Sequence, residues 1–281
     1  MREQIKRLLF GIFVIIFAFF SFPTKSMAGN PVGTLTNPVD LGNGGRCKKI
    51  WTRSYDAIEQ NFYTSFKMEK KGYATISVTK PSDEERGVVP LEIYLYDKKG
   101  NLLWDCLTDG QQNMPTKAYS YRVGLKAGSY TVRFYPPYYK YGGKITSTIT
   151  IKTTSNAYWE VEDNNSFLNA TPLKLNKTYT GVYGENITSY AGDYYKVKLT
   201  KGKHYSVRIS NYGELFSSTV MVEVLGPNRK ELKDWTAWNL RNYGSASFKP
   251  SKSGYYYIKI HNEWGYNTPG IKYGIHVKTK K

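Results

Sequence analysis

From Phe62 onward, hydrophobic and polar positions alternate with a period of two, in short runs broken by turn residues. Phe62, Thr64, Phe66 and Met68 fall on one face before Lys70-Lys71-Gly72 turns the chain, and residues 73–78 take up the next run. Residues 80–90, KPSDEERGVVP, read as a polar loop, and LEIYLYDKKGNLLWDC (91–106) as two strands joined at Lys-Lys-Gly-Asn. In GSYTVRFY, Tyr130, Val132 and Phe134 share one face, and Thr131, Arg133 and Tyr135 the other. The strand ITSTITI then closes the unit. Residues 29–60 are rich in Gly and Asn and show no such rhythm, so they read as an arm leading into the first domain.

The same order comes round again. DYYKVKLTKGKHYSVRIS (193–210) matches FYTSFKMEKKGYATISV (62–78), strand, Lys-Gly turn, strand. VMVEVLGPNRKEL (220–232) matches LEIYLYDKKGNLL (91–103), and SASFKPSKSGYYYIKI (245–260) matches YSYRVGLKAGSYTVRF (119–134). A period of roughly 130 residues exceeds any solenoid repeat, so it implies a whole domain in tandem. The expected fold is all-β: two tandem jelly-roll-like β-sandwiches, one over 61–155 and one over 156–281.

Residues 1–28 read as a cleaved secretory leader. Arg2, Lys6 and Arg7 precede an apolar run from Leu8 to Phe20, and Ser26-Met27-Ala28 supplies the small residues of a cleavage site. The run falls short of the ~20 residues of a membrane span. The product is therefore expected outside the cell or on its wall, with no stable membrane span. The leader carries four basic residues and one acid, so the mature chain keeps about +15 of the formal +18. Outside a cell such charge suits an anionic polymer or glycan, and export argues against nucleic acid. An oxidising compartment and an even cysteine count lead us to expect a disulfide between Cys47 and Cys106.

At the seam between the two repeats lies an acidic knot, WEVEDNNS (159–166). Glu160 and Glu162, followed by Asn164 and Asn165, offer several hard oxygens within one turn of chain, the ligand type that calcium prefers. The same residue types also favour plain turns, so the eight residues alone leave a metal-free linker open.

The second half resembles the bacterial pre-peptidase C-terminal domain, a jelly-roll sandwich. The resemblance rests on ExExNNS, on the DYY strand with its Lys-Gly turn, on a central strand and turn, and on SGYYYIKI. It covers residues 158–279, and the first half matches in strand order without the ExExNN opening. The collagen-binding modules of bacterial collagenases are distantly similar. The resemblance implies calcium, held by Glu160, Glu162, Asn164, Asn165 and Asp193. Ala191 departs from it, standing where a further aspartate is expected, with Glu185 or Asn186 as possible replacements. It also implies an alternative function, as accessory or inhibitory partner of a secreted peptidase.

The aromatics point to a ligand face. Among 26 tyrosines many must fill the core. In GYYYIKIH the alternation turns Tyr256, Ile258 and Ile260 inward and Tyr255, Tyr257, Lys259 and His261 outward, beside Trp264 and Tyr266. Tyr135, Tyr138 and Tyr139 hold the corresponding corner of the first domain. Rings beside cations suit sugars and extended peptides. Catalysis has no such support. The three histidines, His204, His261 and His276, lack metal-ligand spacing; His204 and His276 read as strand residues, and no nucleophile motif is present. The expectation is a non-catalytic protein that binds an extracellular polymer through basic and aromatic surfaces.

Overall fold

The structure is a computed structural model, and it describes residues 33–52, 61–79, 82–83, 87–88, 90–108, 118–136, 144–183, 192–211, 219–238, 243–261 and 271–280. Among these there is no helix, and no helix long and apolar enough to cross a membrane. The expected leader lies outside the described residues.

The strands of the first half are β1 (Val39–Asp40), β2 (Gly44–Thr52), β3 (Phe62–Met68), β4 (Gly72–Thr79), β5 (Ser82–Asp83), β6 (Gly87–Val88), β7 (Glu92–Asp97), β8 (Leu102–Leu107), β9 (Ala118–Leu125), β10 (Gly128–Tyr135) and β11 (Lys144–Ser155). Those of the second are β12 (Thr171–Pro172), β13 (Thr178–Tyr183), β14 (Asp193–Leu199), β15 (Tyr205–Asn211), β16 (Thr219–Leu225), β17 (Glu231–Trp238), β18 (Tyr243–Phe248), β19 (Gly254–His261) and β20 (Ile271–Thr279).

Sheet order repeats as the sequence does. One sheet runs β1-β3-β10-β7-β8 in the first half and β12-β14-β19-β16-β17 in the second. The other runs β2-β11-β4-β9, and then β13-β20-β15-β18. Even the odd members agree, since β1 pairs with β3 and β12 with β14 in parallel. Apolar side chains fill each interior in two separate clusters, one around Phe66, Ile76, Leu95 and Phe134, the other around Tyr195, Val207, Val222 and Ile275. The β3 and β14 burial patterns are identical, as are those of β10 and β19.

A short sequence at the start of β10 and β19 shows how closely the copies agree. Tyr130 donates its hydroxyl to the Lys126 carbonyl at 2.9 Å, and Tyr256 does the same to Lys252 at 2.9 Å. Between each pair stands a glycine with positive φ, Gly128 or Gly254. Each tyrosine thus buries its ring and ties down the turn from which its own strand leaves.

Three expectations need correction. The arm is part of the sandwich: β2 pairs with β11 along its whole length, from Gly44↔Lys152 to Thr52↔Lys144. Its rhythm is hidden because Lys49 takes an inward-facing position, with Nζ 6.0 and 5.2 Å from the ring centroids of Trp51 and Phe62. Cys47 and Cys106 are thiols with no bridge between them. Cys47 stands opposite Ile149 in one sheet and Cys106 opposite Ile93 in the other, so the two thiols are carried by different sheets of the sandwich. His204 lies exposed, just before β15 rather than inside it, while His276 is within β20 as read. In the loop 80–90, two-residue strands β5 and β6 pair with each other.

Candidate functional site: a buried carboxylate cluster at the seam

The acidic knot begins where β11 ends. Asn156 donates its amide to the Lys71 carbonyl, and Trp159 forms a parallel bridge with Thr180 of β13. The Trp159 ring lies 4.1 Å from that of Tyr73. Glu160 N donates to Thr180 O at 2.9 Å, Glu162 N to Gly124 O at 2.9 Å, and Tyr194 N to Asn164 O at 2.8 Å. The segment is therefore fastened to β9 of the first sandwich and to β13 and β14 of the second. The Glu162–Asp163 peptide is cis, and Asp163 turns away to accept from the Asn169 carboxamide at 2.6 Å.

Fastened in this way, Glu160 and Glu162 meet Asp193, the first residue of β14. One carboxylate oxygen from each lies within 4.8 Å of the others, and all three side chains are buried. Glu160 Oε1 accepts from Val182 N at 2.7 Å; Oε2 accepts from Tyr195 at 2.8 Å and from Asn164 Nδ2 at 3.3 Å, with Tyr273 also at 3.3 Å. Tyr273 donates to Asp193 Oδ2 at 2.5 Å, and its hydroxyl lies 2.7 Å from that of Tyr195. Asn164 N donates to Glu162 at 3.3 Å. Gly181 makes room for the two phenols, since a Cβ there would stand 2.4 Å from both hydroxyl oxygens.

All the donors to Glu160 are neutral, and the Lys71 ammonium acts on it only through its charge. Burial pushes the Glu160 carboxyl up to about 7, against the pull of those hydrogen bonds. Glu162 is held well above the usual carboxylate range by burial and then by the charges of Glu160 and Asp193. Asp193 is raised by burial and by Glu160, while the Tyr273 hydrogen bond opposes the rise. Three buried acids within reach of one another can hold a metal ion. A further observation fits that use: Asn164 is fully buried, and its Oδ1 has no hydrogen-bond partner while its Nδ2 points to Glu160. The donor set is all oxygen, which favours a hard cation over zinc or copper.

Of the residues expected from the sequence, Glu160, Glu162, Asn164 and Asp193 come together. Asn165 is half-buried and is not one of the three gathered acids. Glu185, Asn186 and Ala191 lie outside the described residues. Tyr195, Tyr273 and Gly181 were not singled out. The signal was available for the tyrosines: both fall at inward positions, and a buried phenol needs a partner.

The expected ligand faces divide in two. Tyr255 is 52% exposed, beside Lys198 across the strand pair. Tyr257 is covered: Phe167 packs edge-on against it at 5.0 Å and against Tyr194 at 4.7 Å. Lys259 pairs with Glu223 at 2.9 Å, and His261 Nε2 lies 2.7 Å from the same carboxylate. Tyr135 is half-buried, with the Arg133 guanidinium 5.3 Å from its ring centroid. Tyr138, Tyr139, Trp264 and Tyr266 lie outside the described residues.

No family model matches the chain, and no curated protein is similar to it in sequence. Among solved structures, it is similar to N-glycanase F (PNGase F) at 11% identity and TM-score 0.34, over 85% of this chain and 96% of that one. It is similar to the CBM22-1–CBM22-2 tandem domain of Paenibacillus barcinonensis Xyn10C at 12% identity and TM-score 0.23, over 84% and 92%. The M60 catalytic domain with two CBM51 domains of Clostridium perfringens ZmpB gives 7% identity and TM-score 0.25, over 78% of this chain and 34% of that one. Overlaps this low carry no argument about function.

Proposed function

We propose that the chain is a secreted, non-catalytic binding protein that attaches to an anionic extracellular polymer, with calcium held in its second sandwich. One observation supports the attachment most directly. In each copy, one sheet contains no Asp or Glu in its four main strands: β2, β4, β9 and β11 in the first, and β13, β15, β18 and β20 in the second. Their outward positions carry Arg46, Lys48, Arg122 and Lys152, then Arg208, Lys272, His276 and Lys278, set among Thr and Ser. Such a face attracts a polyanion and offers hydroxyls to it. The carboxylate cluster reads as structural, because it is buried and tied to both sandwiches. Glu160, Glu162, Asp193 and the Asn164 side-chain carbonyl would hold the ion, whose charge would offset that of the three carboxylates.

The attachment is tested by sedimenting the mature chain with purified bacterial wall or insoluble glycan. Binding should fall with salt as the charged part is screened. Reversing Arg46, Lys48 and Lys152 to Glu should weaken it at low salt. No sedimentation with any wall or glycan sample at low salt would overturn the proposal.

A further inference from the structure

The two copies place different residues at equivalent positions of one sheet face, and the difference points to a ligand. Register fixes the equivalences, because Gly128 faces Met68 as Gly254 faces Leu199. Tyr63 then corresponds to Tyr194, Arg133 to Lys259, Tyr135 to His261 and Tyr94 to Glu223. In the second copy this face is complete. Phe167 sits on Tyr194 and Tyr257, the Arg229 guanidinium lies 5.0 Å from the Phe167 ring, and Glu223 neutralises Lys259.

The first copy carries other residues at the positions of Phe167 and Glu223. Val39 faces Thr64 as Thr171 faces Tyr195, so the counterpart of Phe167 is Leu35. The local turn is the same, with Asn37 N on Thr34 Oγ1 and Asn169 N on Ser166 Oγ. Yet Leu35 is 65% exposed, where Phe167 is half-buried. At the Glu223 position stands Tyr94, whose ring centroid is 4.7 Å from the Arg133 guanidinium. Tyr96 extends the platform, nearly parallel to Tyr94 at 6.5 Å and 20°. Arg133 Nε donates to Asn61 at 2.6 Å, and among the described residues no carboxylate forms a salt bridge with Arg133. Two carboxylates border this cluster: Glu92, accepting from the Tyr94 hydroxyl at 2.6 Å, and the buried Asp105, opposite Tyr94 in register.

We infer that the face made by Tyr63, Tyr94, Tyr96, Arg133 and Tyr135 binds a carboxylated sugar of an acidic glycan. What Phe167 and Glu223 supply in the second copy is an apolar face and a carboxylate paired with the cation, and a uronic acid carries both on one residue. Its pyranose face stacks on a tyrosine, and its carboxylate takes the guanidinium fork in two parallel hydrogen bonds. An acyclic polyol phosphate would satisfy the guanidinium but leave the rings unused. This rests on the proposed attachment to extracellular polymer and names the chemistry that one face of it reads.

The test is titration of the mature chain with polygalacturonate, with the same polymer after carboxyl reduction, with a polyol phosphate, and with an acidic aromatic peptide, all at moderate salt. Polygalacturonate should bind best, and reduction should weaken it at least tenfold. Arg133→Lys, which keeps the charge but loses the fork, and Tyr96→Ala should each weaken it severalfold, with unchanged melting temperatures. Lys98→Ala, which removes one charge from an exposed turn, should not. Equal binding of the reduced polymer, preference for the phosphate polymer or the peptide, or an Arg133→Lys titration equal to wild type would each overturn the inference. Wall binding that persists alongside such a result would leave the broader attachment standing, whereas loss of all glycan and wall binding would remove both.

Discussion

The amide of Glu162 donates to the carbonyl of Gly124 at 2.9 Å, so a residue of the candidate metal cluster is hydrogen-bonded to the opposite sandwich. The approach is close: a Cβ on Gly124 would stand 2.4 Å from the Glu160 carbonyl oxygen and 2.5 Å from the Trp159 ring. Backbone cannot yield there as a side-chain tip can. Gly124→Ala should therefore destabilise by about 1–3 kcal/mol in urea unfolding, the range for forced overpacking. It should also weaken the response to calcium, because the displaced atoms belong to the segment that carries Glu160 and Glu162.

The cluster makes the effect of pH opposite with and without the ion. In chelator, the three carboxyls are raised above their unfolded values, so their contribution is full below about pH 4, the ordinary carboxylate range. It is lost as pH rises through the folded values, about 7 for Glu160. Melting temperature in chelator should thus fall between pH 5 and 8. Calcium binds the ionised carboxylates, so the rise it produces should grow over the same interval. At one hundred times the dissociation constant the gain is about 2.7 kcal/mol. Calorimetry at several pH values checks both slopes.

Glu162→Gln separates the ion from the fold. It removes one repelling charge, so stability in chelator at pH 8 should hold or increase, while the calcium-induced rise should shrink or vanish. A rise equal to wild type would place the ion elsewhere.

The paired tyrosine hydroxyls offer an internal comparison. Tyr130→Phe and Tyr256→Phe each delete one hydrogen bond to a carbonyl, at Lys126 and Lys252. Each should cost about 0.5–1.5 kcal/mol. The two bonds sit in separate cores, so the double variant should lose the sum within about 0.5 kcal/mol. Equilibrium urea unfolding of the three variants measures this directly.

The interiors were readable because period-two alternation is local: Tyr256, Ile258 and Ile260 are buried, and Tyr255 is exposed, as the pattern requires. Duplication was readable for the same reason, since two copies show the same alternation between the same turns. What escaped depended on distant partners. β2 hid its strand character behind Lys49, a charged residue at an inward-facing position whose ammonium lies over two rings. Tyr195 and Tyr273 looked like ordinary core residues, and only the facing of their two sheets across one core brings their hydroxyls to Glu160 and Asp193. Phe167 covers Tyr257 from a segment with no strand rhythm, so alternation alone left that ring looking open.

The last strand of each copy is not an edge but a centre: β11 lies between β2 and β4, and β20 between β13 and β15. Cys47 waits for Ile149, roughly 100 residues later, before β2 has any partner along its length. Neither sandwich can close until its final strand has emerged, so each must fold after its own synthesis rather than during it, at the slow rates of non-local pairing. Until then two strands stand with bare edges on either side of an empty slot, the arrangement most prone to pairing with another chain. A chain cut short before residue 271 should consequently aggregate rather than merely lose a tail.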